Sequence, residues 1–443
     1  MAPYRARSNA VSGAQNSSMR MCRMQKNSSH LPDVLVIGRG EYVTGLLRDG
    51  SISSDKGHGV VTLVLADMRR RGLIGTRIGL CGQTAVGWKT VRDHLTKNIE
   101  RFKSLSSDFE IFPSDSGGSG SNPALEAMDQ FRAGDIVAIY TPDSSHFSIA
   151  IEAIRRGMHV IIAKPAFTRL DHHRQVAEEA RKQQVLACVE NHKRYDPVYS
   201  HFKDTVAALG ELSYFSAYMS QPACQARHYC SNGRTSTDVS FYLNAHHVDL
   251  HAWFMGERSR PMQVTAFGSF GILQREHGIN TPDTITLAVQ WQDRDSGVIG
   301  HASYTASWIA QSSDVFTQQR CFYLGSRGEA SIDQAHRGYS IAIDGQLRSP
   351  NPIYMNGLQG YGTEFSGQSG YGYQVFEHFV RATQEIREER ADPDDFDGHL
   401  PTLATTASVT AILEAGRQSL LRNGAPHQIR YVDGMPAAIE PIQ

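Results

Sequence analysis

Two residues of this chain have the types and neighbours that proton-transfer chemistry needs. Lys164 follows the apolar run His159 to Ala163 and directly precedes Pro165. A lysine at the carboxyl end of a strand in an open α/β sheet can polarise or protonate a substrate oxygen. His246 supplies an imidazole, the side chain most readily poised to exchange a proton near neutral pH. The pair predicts acid/base chemistry on a hydroxyl or carbonyl, although a solvated loop lysine fits the first pattern equally well.

Two further histidines follow the same segment. His247 and His251 are spaced to share one face of a helix, which makes a zinc site conceivable. No adjacent glutamate completes an HExxH pattern, and packed or solvated histidines fit the spacing as well. We therefore predict no metal site, and we expect Asp249 to structure the helix.

A glycine-rich turn follows the first apolar run of the chain, Val34 to Ile37. Its glycines are Gly38, Gly40 and Gly45. Glycines let a backbone turn tightly and approach a pyrophosphate at a helix N-terminus. The spacing is GxGx4G instead of GxGxxG, and the first strong helical pattern begins only at Val60, so an insertion interrupts the usual turn. The turn predicts nucleotide binding, with an ordinary glycine-rich connection as the alternative.

Strand and helix patterns alternate from the glycine turn to residue 197. Such repeats give a mainly parallel sheet with helices on both faces. The predicted fold class is α/β, with a Rossmann-like doubly wound parallel sheet over residues 33–197 and an α+β domain over residues 198–443. Three strand ends carry polar loops that should converge on one crevice: Thr141, Pro142 and His146; Lys164; and Asn191, His192, Lys193 and Arg194.

The second half of the chain shows the period-two pattern of half-buried strands. Ile285, Leu287, Val289 and Trp291 alternate with more polar residues. This pattern predicts a large, mainly antiparallel open sheet. Sheets with one free face often pair with another copy, so we expect a homo-oligomer. Late helices near residues 373–387 and 402–421 would cover the sheet or return to the first domain.

The end of the second predicted strand bears on cofactor choice. NAD enzymes usually place an acid there to hold both ribose hydroxyls. Here the run is Cys81-Gly82-Gln83-Thr84, and Lys89 and Arg92 follow, which favours NADP over NAD unless those cations only solvate a helix face. We expect these residues to bind the cofactor: Gly38, Gly40, Gly45, Gln83, Thr84, Lys89, Thr141, Pro142, His146 and Lys164.

Composition excludes several classes of protein. The chain has 443 residues, 40% of them hydrophobic, and a formal net charge of -1, which offers no general attraction for nucleic acid or an anionic membrane. No run approaches the roughly 20 apolar residues that span a bilayer. The six cysteines lack CxxC spacing, so a reducing, cytoplasmic location fits. Residues 1–32 contain no acid and predict a disordered or organelle-targeting segment.

Taken in order, these motifs resemble the Gfo/Idh/MocA superfamily of oxidoreductases. Its Glu-Lys-Pro motif is similar to Ala163-Lys164-Pro165, its Asn-x-x-Arg-aromatic segment to Asn191 through Tyr195, and its His-x-x-Asp helix to His246 through Asp249. The resemblance implies that Lys164 and His246 are the catalytic pair. Two acids of the family pattern are replaced here, by Ala163 and by Tyr242.

Longer strings resemble the D-galacturonate reductase type within that superfamily. They lie at residues 54–57, 218–222, 304–310, 333–339 and 370–373. The resemblance implies hydride transfer between NAD(P) and a sugar acid, with an inositol or glycoside dehydrogenase and a non-catalytic nucleotide sensor as alternatives. A uronate needs a cation for its carboxylate. The expected substrate residues are Asn191, His192, Arg194, Tyr242, His247, Trp308, His336 and Arg337.

Overall fold

The structure is a computed structural model. It describes residues 31–47, 49–52, 57, 59–102, 104–114, 122–230, 237–311, 313–343, 345–359 and 365–442. The predicted N-terminal segment lies outside the described residues up to residue 30, and so does the string at 54–57 up to residue 56. Pro32–Gln443 form one compact unit that contains two large sheets. The domain boundary after residue 197 stays a prediction.

The first sheet is parallel throughout, as the alternating pattern predicted. Its strand order is β3-β2-β1-β4-β5-β6. The four residues of β1, β2, β4 and β6 are all buried, because helices cover both faces of the sheet. The order reverses beside β1, which opens a crevice at the carboxyl ends of β1 and β4. The strands are β1 (Val34–Ile37), β2 (Ile78–Cys81), β3 (Glu110–Phe112), β4 (Ile136–Ile139), β5 (His159–Ala163) and β6 (Ala187–Glu190).

The helices around this sheet begin earlier than the sequence suggested. A four-residue helix starts directly after Gly40 and ends at Gly45, whose φ is 82°. The predicted helix at Val60 is present as well. The helices are α1 (Glu41–Thr44), α2 (Val60–Arg70), α3 (Trp88–Ile99), α4 (Pro123–Met128), α5 (His146–Arg155), α6 (Leu170–Gln183) and α7 (Pro197–Thr205).

The second sheet has eight strands in the order β12-β11-β7-β10-β9-β8-β17-β18. Only β7 and β10 pair in parallel, and the other neighbours are antiparallel, so the predicted mainly antiparallel sheet is confirmed. Its strands are β7 (Leu212–Pro222), β8 (Ser259–Ser269), β9 (Thr284–Asp293), β10 (Ile299–Ala310), β11 (Gln318–Gly325), β12 (Gly328–Asp333), β17 (His427–Val432) and β18 (Met435–Pro441). The short strands β13 (Ile341–Ile343), β14 (Gln346–Arg348), β15 (Asn356–Gln359) and β16 (Phe365–Ser369) form two hairpins.

The two late helices both pack against the first half of the chain. The remaining helices are α8 (Ala223–Cys230), α9 (Ala245–Met255), α10 (Ile272–His277), α11 (Tyr371–Arg387) and α12 (Leu403–Leu421). Tyr373 and Phe376 of α11 share a buried core with Val36 and Leu80. His173 of α6 contacts α12 through the Thr410 hydroxyl at 2.8 Å and the Leu403 carbonyl at 2.7 Å. Both predicted placements therefore occur: α11 returns to the first sheet, while α12 contacts α6 and also packs on the second sheet, where Ala411 and Ile412 share a core with Val264 and Leu287.

Candidate active site

Lys164 lies at the carboxyl end of β5 and faces the segment that leads into α9. Its ammonium group donates a hydrogen bond to the Tyr242 carbonyl and lies 4.2 Å from the centroid of the Tyr242 ring. Tyr242 belongs to a π-helical turn, Ser240–Asn244, that directly precedes α9. Such turns occur frequently at functional sites because they displace side chains from the regular helical pattern. The structure therefore brings Lys164 and the His246 segment together.

His246 sits in the first turn of α9 and is 9% exposed. Its ring centroid is 5.5 Å from that of His192. Burial lowers the pKa of His246 well below its ordinary value, and the positive charges of Lys164 and Lys193 lower it further. A neutral imidazole can accept a proton, so this environment prepares His246 to act as a base toward a hydroxyl group.

Arg194 and Asn191 converge on Asp249, behind His246. The Arg194 guanidinium donates to Asp249 from Nε at 2.9 Å and from Nη2 at 2.6 Å, and Asn191 Nδ2 donates to the same carboxylate at 2.7 Å. All three side chains are buried. These bonds anchor α9 to the end of β6, so the structure gives Arg194 a positioning role and engages the charge that was predicted to bind a substrate carboxylate.

Two other predicted substrate residues are also paired with acids. Arg337 forms an ion pair with the fully buried Asp196. His336 is 40% exposed and lies between Asp333 and Asp314, and its hydrogen bond to Asp333 raises its pKa. The Arg337 side chain is therefore held by Asp196, which directly precedes α7, and the His336 side chain by Asp333 at the end of β12 and by Asp314.

Trp308 packs against Tyr242, the residue that contacts Lys164. It is 1% exposed, and its ring stacks on that of Tyr242 with centroids 5.0 Å apart. This stacking holds the Tyr242 ring in place against the Lys164 ammonium group. We expect Trp308 to influence the site through Tyr242.

The two helical histidines are packed in the core. Neither ring nitrogen of His247 has a hydrogen-bond partner, and burial lowers its pKa to about 3. His251 stacks on Phe215 at 4.1 Å and is hydrogen-bonded to the Tyr304 hydroxyl. Among the described residues, no cluster of three or more His, Cys, Asp or Glu could hold a metal ion.

The glycine turn has the space that a dinucleotide needs. Gly38 has φ 123°, and a Cβ there would lie 2.3 Å from the Tyr140 carbonyl oxygen. A Cβ at the exposed Gly40 would meet nothing within 4 Å, so the space above the turn is open. The residues therefore fit a pyrophosphate. A Cβ at Gly45 would instead meet the Gly57 carbonyl oxygen at 2.5 Å, so this glycine allows α1 to pack on the segment that precedes α2.

His146 joins two of the strand ends. It is completely buried, and its ring contacts the Thr141 carbonyl at 2.9 Å and the Ala166 carbonyl at 3.0 Å. Its position ties the loop after β4 to the loop after Lys164, beneath the half-buried Thr141 and Pro142. We expect its effect on a bound cofactor to be indirect.

The corner after β2 contains a cation that the sequence reasoning missed. Gln83, Thr84 and Lys89 are exposed at this corner, as a nucleotide site requires. Arg39, between Gly38 and Gly40, donates to the Val86 carbonyl and lies 5.5 Å from the centroid of the Trp88 ring. The sequence contained a signal for this placement, because Arg39 comes two residues after β1, the strand that pairs in parallel with β2.

The first sheet and the glycine turn together have a Rossmann-like fold, the arrangement in which dinucleotide-binding proteins hold a pyrophosphate. Residues 72–191 match the Gfo/Idh/MocA family model, described as an oxidoreductase family with an NAD-binding Rossmann fold. That segment is therefore similar to the Rossmann part of this oxidoreductase family. No helix in the described part of the chain is long and apolar enough to cross a membrane.

Curated relatives match part of the chain at low identity. The scyllo-inositol 2-dehydrogenase (NAD(+)) of Bacillus subtilis is 24% identical over 169 residues, which cover 38% of this chain and 47% of that protein. The UDP-N-acetylglucosamine 3-dehydrogenase of Acidithiobacillus ferrooxidans is 24% identical over 200 residues, covering 45% and 57%. The chain thus spans about half the length of these relatives.

A solved structure matches nearly the whole fold. The scyllo-inositol dehydrogenase from Lactobacillus casei, solved with bound NAD(H) and scyllo-inositol, has a TM-score of 0.57 and 13% identity, with 90% of this chain and 99% of that chain covered. At this identity the likeness is one of fold.

Proposed function

We propose that this chain is an NAD(P)-dependent oxidoreductase that acts on a hydroxyl or carbonyl group of a sugar, sugar acid or polyol. The observation that carries the proposal is the convergence of Lys164 and the buried His246 at the carboxyl edge of a sheet whose glycine turn is open at Gly40. The similarity to inositol and sugar-nucleotide dehydrogenases supports the same substrate class.

The chain's own residues supply the proton chemistry. A bound nicotinamide would supply the hydride acceptor or donor. During oxidation the neutral His246 accepts the proton of the substrate hydroxyl, and the Lys164 ammonium stabilises the negative charge that develops on that oxygen. During reduction the same atoms act in reverse, so protonated His246 gives its proton to the developing alkoxide.

Reduction of D-galacturonate is the substrate assignment we propose first. The strings that resemble the D-galacturonate reductase type support it, and Lys164 offers a cation at the site. A neutral polyol, such as an inositol, is the second candidate, because Arg194 and Arg337 are both engaged by buried aspartates. A uronate would have to be recognised without either guanidinium or would have to displace one of them.

We propose NADP as the preferred cofactor. Residues 82–89, which follow β2, include no acid that would repel a 2′-phosphate, and the Arg39 guanidinium contacts Val86 in that run, which also contains the exposed Lys89. Guanidinium groups bind phosphate through charge-assisted hydrogen bonds.

We also propose that the chain forms a homo-oligomer through the uncovered face of the second sheet. Side chains such as Ala288, Gln290, Ile299 and His301 are exposed on β9 and β10, at the centre of that sheet. A mass measurement by light scattering tests this, and a monomer at micromolar concentration would contradict it.

The first experiment follows nicotinamide absorbance over time. Purified protein is given D-galacturonate with NADPH or NADH, and in parallel scyllo-inositol or myo-inositol with the oxidised cofactors. Sugar-dependent oxidation of NADPH would support the first assignment, and inositol-dependent reduction would support the second. Nucleotide binding without turnover on any of these substrates would favour the sensor alternative.

A further inference from the structure

A second buried acid/base pair lies next to His246. Glu190, the last residue of β6, is 3% exposed, and its Oε1 is 2.8 Å from Nδ1 of His192. The His192 ring centroid is 5.5 Å from that of His246, which is close enough for one water or one substrate hydroxyl to contact both rings.

Two tyrosine hydroxyls extend this pair away from the crevice. The Tyr42 hydroxyl donates to Glu190 Oε1 at 3.1 Å, and the Tyr354 hydroxyl donates to that of Tyr42 at 2.9 Å. Tyr42 is in α1, directly after the glycine turn, and Tyr354 precedes β15. Tyr354 is partly exposed, so the hydrogen-bonded chain runs from the crevice toward solvent.

The surroundings of His192 define its tautomer. Because Glu190 accepts at Nδ1, the neutral ring carries its proton there and presents Nε2 as an acceptor. Its ring lies near those of Tyr354 and Tyr371, with centroids 5.3 Å and 5.8 Å away. Packing and a carboxylate therefore hold the ring in one orientation, as in a catalytic imidazole that a carboxylate orients.

Neither of two residues beside Lys164 is an acid. The residue before Lys164 is Ala163, and the residue whose carbonyl Lys164 contacts is Tyr242. A buried carboxylate is unfavourable unless it is paired or hydrogen-bonded, and His192 and Tyr42 supply these contacts to Glu190.

We propose that the Glu190–His192 pair is a proton relay for His246, and that Tyr42 and Tyr354 connect it to solvent. The inference rests on the proposed function. In oxidation, His246 takes the proton of the substrate hydroxyl and passes it to Nε2 of His192, while the Nδ1 proton of His192 moves to Glu190 and leaves through Tyr42 and Tyr354. In reduction the same steps run backwards: a proton that enters through Tyr354, Tyr42 and Glu190 reaches Nδ1 as Nε2 of His192 gives its proton to His246, which protonates the substrate oxygen. Each transfer moves one proton and no electrons.

The relay is tested with three substitutions. Tyr354→Phe removes the outer hydroxyl and keeps the ring, Glu190→Gln removes the charge, and His192→Gln removes the imidazole. The matched control is Tyr371→Phe, because the Tyr371 ring also packs on His192 while its hydroxyl accepts from Asn351 at 3.0 Å, outside the chain of the relay. Thermal unfolding of every variant checks that it folds.

We expect kcat to fall on the order of tenfold for Tyr354→Phe and on the order of 10²-fold for His192→Gln, with KM and nucleotide affinity unchanged. Added imidazole should partly restore His192→Gln, and the solvent deuterium isotope effect on kcat should rise in Tyr354→Phe. Tyr371→Phe should retain the wild-type kcat. A loss in Tyr371→Phe equal to that in Tyr354→Phe, or unchanged kcat in all three relay variants, would overturn the relay alone.

A histidine titration by NMR gives a readout that needs no turnover. The groups that face His192 are Glu190, Lys193, Lys164 and His246, with Tyr42 behind Glu190 and Tyr354 and Tyr371 against the ring. The Glu190 charge raises the pKa of His192 against the stronger effect of burial, so Glu190→Gln should lower that pKa. An unchanged His192 pKa in Glu190→Gln would overturn the pairing. Absence of turnover in the wild-type protein would overturn the proposed function and the relay with it.

Discussion

Arg194 and Asp249 form a buried ion pair that joins the end of the first, parallel sheet to α9, the helix that carries His246. Both of the pair's hydrogen bonds are made within the protein interior, and Asn191 adds a third to the same carboxylate. The position of His246 relative to Lys164 therefore depends on a contact that touches neither residue.

Replacing Arg194 with methionine leaves Asp249 buried without its cation. Breaking such a pair from one side typically lowers the free energy of unfolding by about 3–5 kcal/mol. Urea denaturation measures the effect. Arg430→Met is the control, because the Arg430–Glu440 pair is about half exposed on both sides, and it should leave the free energy of unfolding unchanged. Equal stability of the two variants would show that the buried pair does not anchor α9.

Lys164→Met should lower kcat on the order of 10²-fold or more, because the substrate oxygen loses the cation that stabilises its developing charge. Nucleotide affinity, measured by quenching of tryptophan fluorescence, should stay close to that of the wild type. Lys182→Met, at the exposed end of α6, is a matched control and should keep full activity. Loss of nucleotide binding together with turnover in Lys164→Met would instead indicate a structural lysine.

Arg39→Gln should weaken NADPH binding about tenfold or more while changing NADH binding little, since hydrogen bonds to charged groups contribute about 1.5–3 kcal/mol. Titration calorimetry with both nucleotides measures the difference directly. The same titrations with Lys89→Gln distinguish the effect of Lys89 on NADPH binding from that of Arg39. If Lys89→Gln discriminates against NADPH and Arg39→Gln does not, the original sequence expectation is right and the assignment to Arg39 is wrong.

Buried histidines should make the protein sensitive to acid. Burial lowers the pKa of His247 and His251 to about 3 and that of His159 and His173 to about 4. In the unfolded chain each pKa returns to about 6.5. Between about pH 6.5 and about pH 4 the unfolded state therefore binds more protons, and stability falls as the pH falls.

Each of these histidines contributes up to about 1.4 kcal/mol per pH unit across that interval. Denaturation at a series of pH values measures the slope, and a flat profile would contradict the prediction. His336→Gln is the control. The pKa of this exposed histidine is raised, so its contribution to the free energy of unfolding is lost only as the pH rises through that pKa, and the substitution should leave the acid slope unchanged.

Most of the first sheet could be predicted from the sequence because β1, β2, β4 and β5 are buried on both faces and read as nearly continuous apolar runs. Strand β8 was missed, since Pro261 and several polar residues interrupt its pattern. The four-residue α1 was missed because it is too short to show a helical period. In each case pairing with neighbouring strands or packing on another segment, not local sequence, determines the structure.

The two catalytic candidates of the site could be predicted from the sequence, but the ion pairs of its arginines could not. Lys164 and His246 stood out by type and position. The partners of Arg194 and Arg337 lie 55 and 141 residues away along the chain, so no local pattern could show that aspartates engage them. The Glu190–His192 contact spans two residues, and the Glu-x-His spacing after a buried strand was a signal that could have been used.

The return of α11 to the first sheet affects how the protein can be made. Tyr373 and Phe376 complete a core that also contains Val36 and Leu80, so the ribosome must release most of the polypeptide before that core can close. Contacts between segments so distant in sequence also slow folding. The nascent N-terminal half therefore exposes apolar surface during synthesis, and we expect chaperones to hold it until the later helices emerge.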